Sequence, residues 1–219
     1  MTTFPVSPKL IKGGIVLLNP GTSAVQRIIA LQYNSDTLTR SFQIQGVGGG
    51  SGDRSEALRL KGPPVETIKL DAEIDAADQL EFPDQNATIV QSGLHSQLAA
   101  LETMIYPSSS QLQANNSLAN SGTLEIVPME TPLMLFTWSK NRIVPVRLTE
   151  FSITEEAFDP SLNPIRAKVS LGMRVLSIDD LGFSHKGGNL FMSFLQNKEQ
   201  LSAKHQGGSF ASLGINGIP

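Results

Sequence analysis

Between Arg166 and Leu176 the chain alternates without interruption. Ala167, Val169, Leu171, Met173 and Val175 share one parity, and Arg166, Lys168, Ser170, Gly172 and Arg174 the other. Side chains along a strand point alternately to opposite faces, so this run folds only as a strand with one buried and one polar face. Leu133–Trp138 upstream is a short apolar strand. After a Lys-Asn turn, Arg142–Glu155 continues as its hairpin partner. Val144, Val146 and Leu148 share a parity that Phe151 and Ile153 reverse, which predicts a bulge near Thr149. The turn between the last two strands, Phe158–Pro164, holds two prolines and an Asn. The basic face of Arg166–Leu176 needs water, an acidic partner or a lumen.

The first half adds strands at Gly13–Asn19, Val25–Tyr33, Thr37–Gln45 and Pro63–Leu70. Arg40 interrupts the otherwise apolar row of Leu38, Phe42 and Ile44, so that strand is expected to meet a partner or solvent there. Val65 and Ile68 differ in parity, which predicts a second bulge. Gly46–Ser55 is a glycine-rich loop with neither nucleotide-binding pattern. Its glycines Gly48, Gly49 and Gly50 are expected to order on contact with neighbouring subunits. Asp71–Glu81 carries five carboxylates but lacks the Gly and Glu that a calcium loop requires, and reads as an acidic helix start capped by Asp75. Leu94, Leu98, Leu101 and Ile105 make a stripe on a helix from Ser92 to Tyr106, ended by Pro107. Ser108–Thr123 is polar and expected to be a long loop. Asn189–Lys204 is helix-like, with Phe191, Phe194 and Leu195 on its apolar side, and a loose end follows Gly207.

The chemistry is sparse. There is no Cys, which removes disulfides, thiolate metal sites and cysteine nucleophiles. The three His (His95, His185, His205) share no metal-binding spacing, and no GxSxG elbow occurs. Glu155 and Glu156 are adjacent in a strand and face opposite ways, so they are no acid–base pair. One of them is expected to pair with Arg142, Arg147 or Arg166. No catalytic residue, cofactor site or metal site is predicted, and the chain does not read as an enzyme. A net charge of −3 with 17 % charged residues argues against a nucleic-acid partner. No signal peptide and no run of about 20 apolar residues stand in the sequence, so direct membrane insertion is not expected.

Trp138, the PVR of Pro145–Arg147, the Ile-x-Glu-Glu-x-Phe-Asp run from Ile153, LNPIRA and the alternating strand together resemble the baseplate hub, or tube-initiator, proteins of contractile injection systems, which are phage-tail-like machines. IALQYNSDTLTRS, PPVETIKLDAEIDAADQLE and LAALETMIYP extend the likeness over roughly Ile28 to Asp180. The resemblance implies a mainly β fold with minor α: a tail-tube-like β-barrel or sandwich over residues 1–181 with a flanking helix, then a C-terminal helical extension over 182–219. It implies a six-membered homomeric ring joining the inner tube, or a second tube-initiator protein, to a trimeric spike, with baseplate wedge proteins as further partners. Such a particle assembles in the cytoplasm and is then membrane-anchored or released. Many members carry a LysM module after the part matching LGMRVLSIDDL; this chain has only its tail there. The residues expected at subunit or partner interfaces are Arg40, Gly48, Gly49, Gly50, Arg166, Lys168, Arg174, Phe191, Phe194 and Leu195. The alternative is a small β-sandwich module binding a peptide or carbohydrate, against which the low aromatic content (6 %) speaks for sugars.

Overall fold

The structure, a computed structural model, describes residues 11–46, 59–122 and 131–218. Gly48, Gly49 and Gly50 lie outside them. The fold is mainly β: one antiparallel seven-stranded sheet with minor helices. Its strands are β1 (Gly14–Leu18), β2 (Val25–Ala30), β3 (Leu38–Gln43), β4 (Val65–Asp75), β5 (Leu133–Ser139), β6 (Arg142–Phe158) and β7 (Pro164–Val175), in the order β2-β1-β5-β6-β7-β4-β3. The helices are α1 (Ala77–Leu80), α2 (Ala87–Ser92), α3 (His95–Glu102), α4 (Ser109–Asn120), α5 (Ile178–Leu181) and α6 (Lys186–Ala203).

The alternating run is β7, paired with β6 on one side and β4 on the other. Val169 and Met173 are 1 % and 0 % exposed and sit in the main core with Ile68, Val144, Val146 and Phe136. The bulge expected near Thr149 is present: the β6–β7 register shifts between Leu148 and Glu150. No shift occurs along β4, so the second predicted bulge is absent. Glu66, not Val65, faces inward there, and that one polar residue hides an unbroken alternation.

The sheet is open, not the closed barrel among the expected forms. Among the described residues β2 has no strand on its outer side, and β3 covers β4 only as far as Leu70. Between β2 and the far half of β4, side chains do what a strand would do. The Gln32 amide accepts from the Asp75 backbone N–H (2.9 Å) and donates to its carbonyl (2.7 Å). Arg27 of β2 reaches α3, donating to the Ala100 carbonyl and the Thr103 hydroxyl at 3.2 and 2.8 Å. Helices α2 and α3 fill the gap with Ile89, Leu94, Leu98 and Leu101.

Three helical expectations change. Ser92–Tyr106 is not one helix. Gly93 adopts φ +52°, and a Cβ there would stand 2.5 Å from the Pro164 carbonyl, which accepts from Leu94 N–H at 2.8 Å. The chain breaks between α2 and α3 to dock on the β6–β7 turn. Asp71–Asp75 is strand, and the helix starts only at Ala77, whose N–H donates to the Asp75 carboxylate at 2.8 Å. The expected loop Ser108–Thr123 is largely helix over its described residues, 108–122. It contains α4, started by a capping box in which the Ser108 hydroxyl accepts from Gln111 N–H and the Gln111 side chain accepts from Ser108 N–H. No residue of α4 is buried, so local capping and propensity carry it.

The extension over 182–219 begins against the sheet. Phe191 and Phe194 join the main core, while Leu190 and Leu181 pack with Leu18, Leu133 and Leu135 in a smaller cluster. Gly188 permits this docking, since a Cβ there would stand 1.9 Å from the Gly182 carbonyl.

Candidate assembly surfaces

The polar face of β7 is answered by its own neighbours. Arg166 binds Asp75 (2.7 Å), Lys168 binds Glu156 (3.3 Å), and Arg174 binds Asp180 (2.7 Å). Ser170 donates to Asp71 at 2.5 Å, and Lys69 binds Glu150 across Gly172 at 2.6 Å. Register explains the match: Asp71, Glu73 and Asp75 lie opposite Ser170, Lys168 and Arg166. The acidic segment is therefore the complementary row to the basic strand. Glu156 pairs with Lys168 rather than with any of the three arginines expected for it. The Ala77 N–H, and after it Arg166, hold the Asp75 carboxyl below the usual carboxylate range against the opposing effect of burial. Asp75 in turn raises the Arg166 guanidinium. The Lys69–Glu150 and Lys168–Glu156 pairs are largely exposed, so each contributes little to stability.

At the other end of β4 the charges are arranged differently. Glu66 is 4 % exposed and accepts from Arg40 Nε at 2.6 Å and from Lys198 Nζ at 3.2 Å. Arg40 lies 4.8 Å from the Phe42 ring centroid, and Lys198 lies 5.6 Å from Phe42 and 4.1 Å from Phe194. Arg40, which interrupts the apolar row of β3, thus has an internal carboxylate as its counterpart. Arg142 starts β6 beside this group. Burial, and after it Arg40, lower its guanidinium from the usual value, while Glu66 acts the other way. The sequence signal for the cluster was there in two halves: a charge inside the apolar row of β3, and a carboxylate where the parity of β4 demanded an apolar residue.

Of the residues expected at interfaces, Arg166, Lys168 and Arg174 sit on one outer face with partners in the chain, and Arg40 lies at the Glu66 cluster. Phe191 and Phe194 are buried, and Leu195 packs half-buried against the same core. The sheet edges were not foreseen as a pair of surfaces. Val25 and Ile28 on β2 are 59 % and 68 % exposed, and Phe42 on β3 and Ile44 just beyond it 46 % and 74 %. Beneath β2 and α3 lies a cavity of about 340 Å³ lined by Ile29, Leu31, Ile74, Leu101 and Leu171. No group of three or more His, Cys, Asp or Glu among the described residues is placed to hold a metal ion, and no helix among them is long and apolar enough to cross a membrane.

Neither a protein-family model nor a curated protein matches the chain. Among solved structures, a chain from the tail of an empty gene transfer agent particle, refined helically with C6 symmetry, is 14 % identical over 75 % of this chain and 90 % of that one, with a TM-score of 0.28. A chain from the virion of a native gene transfer agent particle is 12 % identical over 74 % of this chain and 90 % of that one, with a TM-score of 0.26. Superposition at this level decides neither the fold nor the role of the chain.

Proposed function

We propose that this protein is a structural subunit of a phage-tail-like particle. It forms a six-membered ring at the baseplate and joins the inner tube, or a second tube-initiator protein, to the trimeric spike. The observation that carries the reading is the open sheet. Among the described residues its two edge strands, β2 and β3, have no strand on their outer sides, and exposed apolar side chains stand there. Such edges are a template for strand pairing with another chain, and a protein that remains alone blunts them. A heterologous contact from one edge to another closes into a ring when the rotation per subunit is right. The sequence resemblance over Ile28 to Asp180 supplies the kind of ring. The exposed helix α4 and the exposed stretch from Lys204 to Ile218 are further contact points for wedge proteins.

The test is a tagged full chain purified gently from the cells that encode it, viewed by negative-stain electron microscopy with mass spectrometry of the same eluate. Rods that contain tube, sheath and spike proteins together with this chain are the expected result. A lone protein, recovered with a tag shown not to block assembly, overturns the reading and favours a binding module.

A further inference from the structure

The two ends of β4 carry opposite and unequal charge. Around Glu66 two cations, Arg40 and Lys198, bind one buried carboxylate, and a third, Arg142, stands on the neighbouring turn that Asn197 holds. The first two are satisfied by that carboxylate. The Arg142 side chain has no hydrogen-bond or ion-pair partner among the described residues, and the start of β6 is held at the cluster: the carbonyl of Asn141 accepts from Asn197 Nδ2 at 3.3 Å, and Lys198 follows Asn197 on α6. A partly buried cluster with excess positive charge is stabilised by an anion arriving from outside. Beside it Phe42 presents an exposed ring.

Just beyond the opposite end of β4, Asp78, Glu81 and Asp84 are exposed and have no ion-pair partner among the described residues. Phe82, 57 % exposed, stands between them. Glu66 and Asp78 are separated by most of a strand, about 30 Å at the usual rise per residue. The two groups therefore cannot meet within one chain.

Building on the ring reading, we infer that the notch of Arg40, Arg142 and Lys198 receives the Asp78–Asp84 segment of a second copy of this chain. The carboxylates neutralise the excess charge, and Phe82 covers the apolar rim at Phe42. The contact is heterologous, as a ring requires, and its charges fix which end meets which.

The purified full chain is examined by sedimentation velocity across a concentration series at low and high salt. The variants are Arg142→Glu, Glu81→Lys with Asp84→Lys, and all three substitutions together. Among the described residues Arg142, Glu81 and Asp84 make no ion pair, so the variants are expected to fold, and unfolding curves check this. The expected result is reversible association of the native chain that salt weakens. Reversal at either end lowers it by about tenfold or more, and reversal at both ends restores it. Carbodiimide treatment of the native chain is expected to link Lys198 of one copy to a carboxylate between Asp78 and Asp84 of another. Association unchanged by either reversal, or a native chain that stays monomeric throughout the low-salt series, overturns the inference. Neither result touches the ring reading, which stands or falls on the particles.

Discussion

Glu66 shows how one residue decides the packing of a distant element. It sits in the second position of β4, yet its partners come from β3 and from the far half of α6. A buried carboxylate is tolerated only when cations and their hydrogen bonds replace water, and here Arg40 and Lys198 do so while their charged heads stand over the Phe42 and Phe194 rings. Substituting Glu66→Gln removes the charge and keeps the shape, so two cations lose their counterion in a partly buried place. The loss is expected at roughly 2–4 kcal/mol, at the lower end because Arg40 and Lys198 retain some solvent. A urea titration reads it as a lower midpoint at unchanged slope. A shift below about 0.5 kcal/mol, the size of an ordinary surface change, would mean that the apolar contacts of α6 hold it without the Glu66 pair.

At the level of elements, β7 and its bulged partner β6 were legible in the residues because period-two alternation is strong where one face is buried and the other wet. The acidic run was misread for a physical reason. Asp71, Glu73 and Asp75 carry poor strand propensity, and their reason to be extended lies almost a hundred residues away, in Arg166 and Lys168. Local reading has no access to that register. The break at Gly93 was missed likewise: the leucine stripe begins only at Leu94, just beyond it, and the approach of the Pro164 carbonyl is what makes a positive φ necessary. Gly93→Ala tests that account. The new Cβ meets the backbone of the β6–β7 turn in a conformation L-residues avoid, and the expected cost is about 1–3 kcal/mol. Gln113→Ala, on the exposed α4, is the control and should stay within about 0.5 kcal/mol. Equal effects of the two substitutions would refute the account.

For the whole molecule the consequence of an open sheet is that stability and assembly separate. The core lies under α2 and α3 and against Phe191 and Phe194, and it is complete without the outer edge of β2. Ile28 belongs to that edge. It pairs with Val16 in register and leaves two thirds of its surface in solvent. An isoleucine there gives the monomer little, and it is a liability unless another chain covers it. Lysine at an edge is the common device for preventing strand addition, because an incoming strand would have to desolvate the charge. Ile28→Lys is therefore expected to leave the unfolding midpoint of the isolated chain within about 0.5 kcal/mol of the native value while removing particles from cells that carry only the variant. Particles of native length and abundance, counted by negative-stain microscopy, would show that the β2 edge faces solvent in the assembly and that the ring closes through other surfaces. Loss of particles together with a collapsed midpoint would assign Ile28 to the fold instead, and the separation of stability from assembly argued from the open sheet would fail.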